Sequence, residues 1–253
     1  MPIANMQSYN SIALRVHSSA FAAQGQAMQL SNAIVNKLHA SCSFAQVTEG
    51  QGAAADVALD LNVTNTQRGG GGLISNSSTA RMDTLLVISD GQSGDILGTA
   101  RIHGESSGMI INNAPPELEA IDVIAKTIVD MLGKSGCSGP RIAKAVPPPP
   151  PPDPGHVEPP PVDETHRPEA EKLDDDGKQK LFAADIQGAL TAFQQANALV
   201  PDARYEYNMC NALGLLEQWD KAIDTCKHAK TMNPKPELVA KIDHKIDLLQ
   251  HHQ

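Results

Sequence analysis

The sequence predicts an α+β domain, an antiparallel sheet with two helices on one face, followed by an all-α helical-repeat domain. Three observations carry this. Through the first 146 residues the apolar pattern alternates between period two and period 3.6. Ten prolines then crowd the fifteen residues from Pro147 to Pro161. Beyond them a helical pattern recurs after 33 residues. Proline fixes φ and lacks the backbone donor, so the proline stretch joins neither a helix interior nor a sheet ladder. The division is therefore an α+β domain at 1–146, a linker at 147–168 and helical repeats at 169–253. As a solvated polyproline II rod, the linker is expected to hold the domains up to roughly 60–70 Å apart.

In the first domain, Ile12 to Val16 reads as a strand. Phe21, Ala27, Met28, Ala33, Ile34, Val35 and Leu38 then fall at helical spacing, with Ser19 as N-cap. Phe44 to Val47 is a short strand. Ala55 to Val63 alternates most clearly, with Val57, Leu59, Leu61 and Val63 inward and Asp56, Asp60 and Asn62 toward solvent. Strands Arg81–Ser89 and Ile96–His103 flank Asp90-Gly91-Gln92-Ser93-Gly94, which has hairpin-turn chemistry. Pro115-Pro116 opens a last helix, Leu118 to Leu132, whose apolar face is Leu118, Ile121, Ile124, Ala125, Ile128 and Leu132. The order strand, helix, four strands, helix gives a largely antiparallel sheet with both helices on one face.

This order, the string ADVALDLNV and the hairpin SDGQSGDILGTARI resemble small bacterial envelope domains: the amino-terminal domain of TolB and the lipoprotein activators of penicillin-binding proteins. The resemblance implies a non-enzymatic, protein-binding domain in the periplasm or at the outer membrane. No catalytic residues carry over from it.

In the second domain, GALTAFQQANALVP recurs as KAIDTCKHAKTMNP, so Ala189, Phe193, Ala196 and Pro201 return as Ala222, Cys226, Ala229 and Pro234. The pattern resembles the tetratricopeptide repeat from about Ala170 to Gln250. Gly177 and Cys210 take the small-residue position of each first helix, and Pro236 to Gln250 forms a terminal capping helix with Leu238, Ile242, Ile246 and Leu249 inward. Lys180 and Leu213 stand where the family has tyrosine, and Cys226 where it has an aromatic. Such repeats present a concave groove to peptides and proteins. The resemblance places Lys178 and Phe182, and from the second repeat Arg204, Tyr207, Asn208 and Asn211, along that groove. Only Asn208 matches the set that clamps a terminal carboxylate.

Four cysteines, Cys42, Cys137, Cys210 and Cys226, split two and two. They suit one disulfide per domain in an oxidising compartment, or buried free thiols. A Cys42–Cys137 bridge requires the first domain's two helices to run parallel; Cys210 and Cys226 face each other across one helical hairpin.

Composition excludes several functions. Net charge is −9, about −2 in residues 1–146 and −7 beyond. No basic patch with interleaved aromatics appears, which argues against nucleic acid. No apolar run approaches a transmembrane helix, and Met1 to Ser8 is no secretory leader. The expected location is therefore the periplasm or, peripherally, the outer membrane, with the signal outside this chain; the alternative is the cytoplasm. Gly104-Glu105-Ser106-Ser107-Gly108 matches a nucleophile elbow but lacks the helix that should follow, and the next histidine is His156. Gly69 to Gly72 has no Gly-Lys-Ser/Thr, and His244, His251 and His252 lack further metal ligands. Asn62-Val63-Thr64 and Asn76-Ser77-Ser78 are glycosylation sequons, of consequence only in a eukaryotic secretory protein.

No cofactor or metal is expected. The leading expectation is a non-enzymatic adaptor for protein partners, with the proline rod as spacer between two docking surfaces. The alternatives are a regulator of a periplasmic enzyme such as a peptidoglycan synthase, and a hydrolase using Ser106.

Overall fold

A computed structural model describes residues 9–18, 24–41, 44–50, 55–69, 79–107, 115–132 and 164–251. Pro147 to Pro161, Ser19, Phe21, Cys42, Cys137 and Asn76, and the expectations attached to them, lie outside these residues.

The first unit runs β1 (Ser11–Ser18), α1 (Gln24–Ser41), β2 (Gln46–Glu49), β3 (Val57–Gly69), β4 (Thr79–Asp90), β5 (Ile96–Glu105) and α2 (Pro116–Leu132). This is the element order that the periodicity predicts. The five strands form one sheet ordered β2-β1-β3-β4-β5. β3, β4 and β5 pair antiparallel, whereas β1 pairs parallel with both β2 and β3, so the sheet is mixed rather than largely antiparallel. The helix between β1 and β2 is the crossover that a parallel pair needs.

α1 and α2 share one face. Ile34 and Leu38 of α1 and Ile121, Ile124, Ala125, Ile128 and Leu132 of α2 pack on Leu59, Leu61, Val63, Leu86, Ile88 and Ile102. Lys37 and Asp122 join the two helices at 2.7 Å. Two inward assignments are corrected: Met28 is 67% and Leu118 42% exposed. Leu30, three residues before Ala33, is the buried side chain that sequence spacing missed.

The second unit is helical throughout: a 3-10 turn at Glu164–His166, then α3 (Arg167–Phe182), α4 (Ile186–Leu199), α5 (Ala203–Leu215), α6 (Trp219–Thr231) and α7 (Pro236–Gln250). Arg167 and Pro168, assigned to the linker by sequence, form the first turn of α3, where a missing proline N–H costs no helical bond. α3–α4 and α5–α6 are successive hairpins, and their turns repeat atom for atom at the 33-residue interval. Ala184 N–H donates to Leu181 O and Asp185 N–H to Lys180 O; Glu217 N–H donates to Gly214 O and Gln218 N–H to Leu213 O. Ala184 and Glu217 both sit in the left-handed region, at φ 63° and 60°.

The two units are in contact. α3 packs against β3, and α5 and α7 against β5. Leu85 and Val87 of β4 and Ile96 of β5 join one apolar cluster with Leu181, Tyr207, Leu213 and Ile242. The expected separation by a spacer is therefore not what the described residues show. The sheet is covered on both faces, which explains the unbroken apolar run Leu85-Leu86-Val87-Ile88: its alternate side chains enter different cores.

Candidate functional site: the face between sheet and helical hairpins

Docking buries polar groups of β3 that sequence alternation assigns to solvent. Asp60 and Asn62 are each 5% exposed. Asp60 accepts from Arg15 Nη2 at 2.5 Å, across the paired strands β1 and β3. Burial pushes the Asp60 carboxyl above its ordinary value against the pull of Arg15. Asn62 Nδ2 donates to Phe182 O at 3.4 Å, which leaves the Asn62 sequon no room for a glycan. Asp56, half-buried at the strand start, accepts from the N–H groups of Asn10 and Ser11 at 2.8 and 2.9 Å. Burial raises its pKa, but these donors outweigh burial and hold it below the usual carboxylate range.

Of the six groove residues, most point at this same chain. Tyr207, 3% exposed, directs its hydroxyl to Leu97 O at 3.5 Å. Asn211, fully buried, accepts from Thr99 Oγ1 at 3.4 Å and donates to Tyr207 O at 3.1 Å. Lys178 Nζ lies 2.8 Å from Asp174 Oδ2, and Asn208 Nδ2 donates to Asp174 Oδ1 at 2.7 Å, so one buried carboxylate joins the two hairpins. Burial pushes the Asp174 carboxyl up although Lys178 and Asn208 draw it down. Phe182 is half-buried against the interface cluster. Arg204 alone of the six is exposed; it pairs with Asp202 at 3.0 Å and lies over the Tyr205 ring at 5.6 Å.

The β4–β5 turn enters this face. Asp90 Oδ1 accepts from Gln92 and Ser93 N–H at 2.9 Å each, and Gly94 supplies the positive φ, 71°, that closes the turn. A cleft opens on either side. One, about 360 Å³, lies between Arg15, Ser89, Asp90, Gly91 and the α3 residues Asp175, Lys178, Gln179 and Phe182. The other, about 610 Å³, lies between Asp95, Ile96, Arg204, Tyr207 and Asn208 and the α6–α7 connection at Met232 to Lys235, with Leu238 and Lys241. Each cleft carries cations and carboxylates together.

Sequence reasoning missed Asp174, Thr99 and Lys245. Lys245 Nζ reaches across from α7 to Thr99 Oγ1 at 3.2 Å and is 7% exposed. The signal was present: position 245 falls within the stripe of Ile242, Ile246 and Leu249.

Of the two readings of the second unit's cysteines, bridge or buried thiols, the structure has the bridge. Cys210 and Cys226 form a disulfide with a Cα separation of 5.4 Å, linking α5 to α6, and both are fully buried. Ser106 is held at the end of the sheet. Its Oγ accepts from Ala80 N–H at 2.9 Å and its N–H donates to Ala80 O at 2.9 Å, so it extends the β4–β5 edge, and the residue is 5% exposed. No group of three or more His, Cys, Asp or Glu placed to hold a metal occurs among the described residues. No helix among them is long and apolar enough to cross a membrane.

No family model matches the sequence, and no curated protein matches it. Solved structures similar to it include the PelC dodecamer from Paraburkholderia phytofirmans, 12% identical over 53% of this chain and 96% of that one, with a TM-score of 0.42. The protein XCC0632 from Xanthomonas campestris, of family model DUF330, is 11% identical over 49% of this chain and 82% of that one, with a TM-score of 0.39. Lipoprotein GNA1162 from Neisseria meningitidis is 11% identical over 50% of this chain and 99% of that one, with a TM-score of 0.32.

Proposed function

We propose that this chain is a non-enzymatic protein-binding adaptor of the bacterial cell envelope, in the periplasm or peripherally at the outer membrane. Its helical hairpins act as a tetratricopeptide-like module. The observation that carries the reading is the pair of open clefts beside the β4–β5 turn, one lined by Lys178 and Phe182 of α3 and the other by Arg204, Tyr207 and Asn208 of α5. A partner segment inserted there meets apolar floor and charges of both signs, which suits a mixed polypeptide surface. The buried Cys210–Cys226 bridge supports an oxidising compartment. A photo-crosslinking residue placed at Phe182 or Arg204 of the native protein should trap one envelope protein, and the same residue at Lys221 should not. Equal trapping at all three positions, or free Cys210 and Cys226 thiols in protein taken directly from its cells, would defeat the reading.

A further inference from the structure

The contact between the units is built unlike either interior. Its apolar part comes to Leu85, Val87 and Ile96 from the sheet. The hydrogen bonds Asn62–Phe182, Thr99–Asn211, Tyr207–Leu97 and Lys245–Thr99 cross it at 3.2 to 3.5 Å, and none of them has a carboxylate acceptor. Among the described residues the ion pair crossing it is Arg101–Glu217, at 3.8 Å and exposed. Within it lies the Lys245 ammonium, with the Thr99 hydroxyl as its hydrogen-bond partner and, among the described residues, no carboxylate within ion-pair distance. Its charged neighbour on α7 is His244, which in turn faces Asp247; from the facing strand β5, Arg101 is engaged with Glu217.

We propose that docking is a reversible closure, in which the helical unit lifts from the outer face of the sheet and the unpaired charge of Lys245 sets how readily it does so. A buried cation without a counter-charge penalises only the state that buries it. Burial pushes Lys245 down from 10.5 to about 8. At neutral pH the group is charged in both states, and the closed state carries a standing handicap of roughly 300-fold. Opening frees the Tyr207 hydroxyl and the Asn211 Oδ1 from Leu97 and Thr99; that consequence rests on the protein-binding reading, whereas the closure itself does not.

Adjacent strand residues give the test. Val87 faces the helical unit and Leu86 faces α1 and α2. Cysteine is introduced at either position, V87C or L86C, in the full chain with Lys245, K245M or K245R, and its labelling by a thiol reagent is timed at pH 7. With K245M, V87C should label more slowly by on the order of a hundredfold while L86C is unchanged. K245R, which keeps the charge, should label as fast as the parent or faster. If K245M fails to fold, K245Q is read in the same way. V87C labelling indifferent to K245M, or V87C and L86C slowing together, would overturn the proposal. No partner enters this measurement, so its failure is separable from failure of cross-linking.

Discussion

The two helical hairpins solve one packing problem differently. In α3–α4 the gap between the helices is filled by the Phe193 ring lying on Gly177; a Cβ there would sit 2.5 Å from the ring. In α5–α6 the equivalent positions are Cys210 and Cys226, and a covalent bridge fills the gap. The first hairpin also has an N-cap, with Asp185 accepting from Gly188 N–H at 3.0 Å, while Gln218 at the equivalent place makes no cap bond. The second hairpin is the one whose first helix carries Tyr207 and Asn211 onto the sheet. The same helix thus carries both the bridge to α6 and the contacts to the sheet.

This contrast is open to direct attack. Phe193→Ala should cost about 3–5 kcal/mol, because a fully buried ring leaves a cavity that glycine on the facing helix cannot close. The single tryptophan, Trp219 in α6, reports the urea unfolding. The pair C210A/C226A should cost about 3 kcal/mol, the chain-entropy value for a bridge across 16 residues. The pair C210G/C226F, which copies the first hairpin, should recover part of that loss. No recovery would mean the two hairpins are not built on one plan.

The pH dependence comes next. The Lys245 pKa is lower when folded, about 8, than when unfolded, so between pH 8 and 10.5 the unfolded chain binds more protons. Stability should therefore rise with pH through that window, by up to about 3 kcal/mol, and be independent of this group below it. K245M should flatten the rise in thermal melts. The smallest effect is a gain: Gln218→Asp should supply the missing cap and add about 1 kcal/mol to the second hairpin. A neutral or negative change would show that the α5–α6 turn cannot present a side chain as Asp185 does.

Element order was legible in the sequence because each segment's apolar period is set by its own backbone geometry. α7 emerged with the boundaries read for it, and the 33-residue interval located both hairpins. Strand direction was less legible: Ile12 to Val16 looks the same whether its neighbour runs parallel or not. What faced Asp60 and Asn62 was hidden for a physical reason. Alternation tells which residues share a face, not whether that face meets water or another unit. The run Leu85 to Ile88 held the missing information, since a strand apolar on both sides needs two cores. Proline composition argued for separation and drew attention away from the sheet, which Tyr207 and Asn211 have as a neighbour.

The central claim is that the helical hairpins pack on the outer face of their own chain's sheet. Nuclear Overhauser contacts between the Leu85 and Val87 methyls and the ring of Tyr207, recorded on the full chain at pH 9 where Lys245 is mostly neutral, test it most directly. The account expects these contacts, together with contacts from Leu86 to α1 and α2. Contacts from Leu86 alone, with none from Leu85 or Val87 to any residue of α3 to α7, would contradict it.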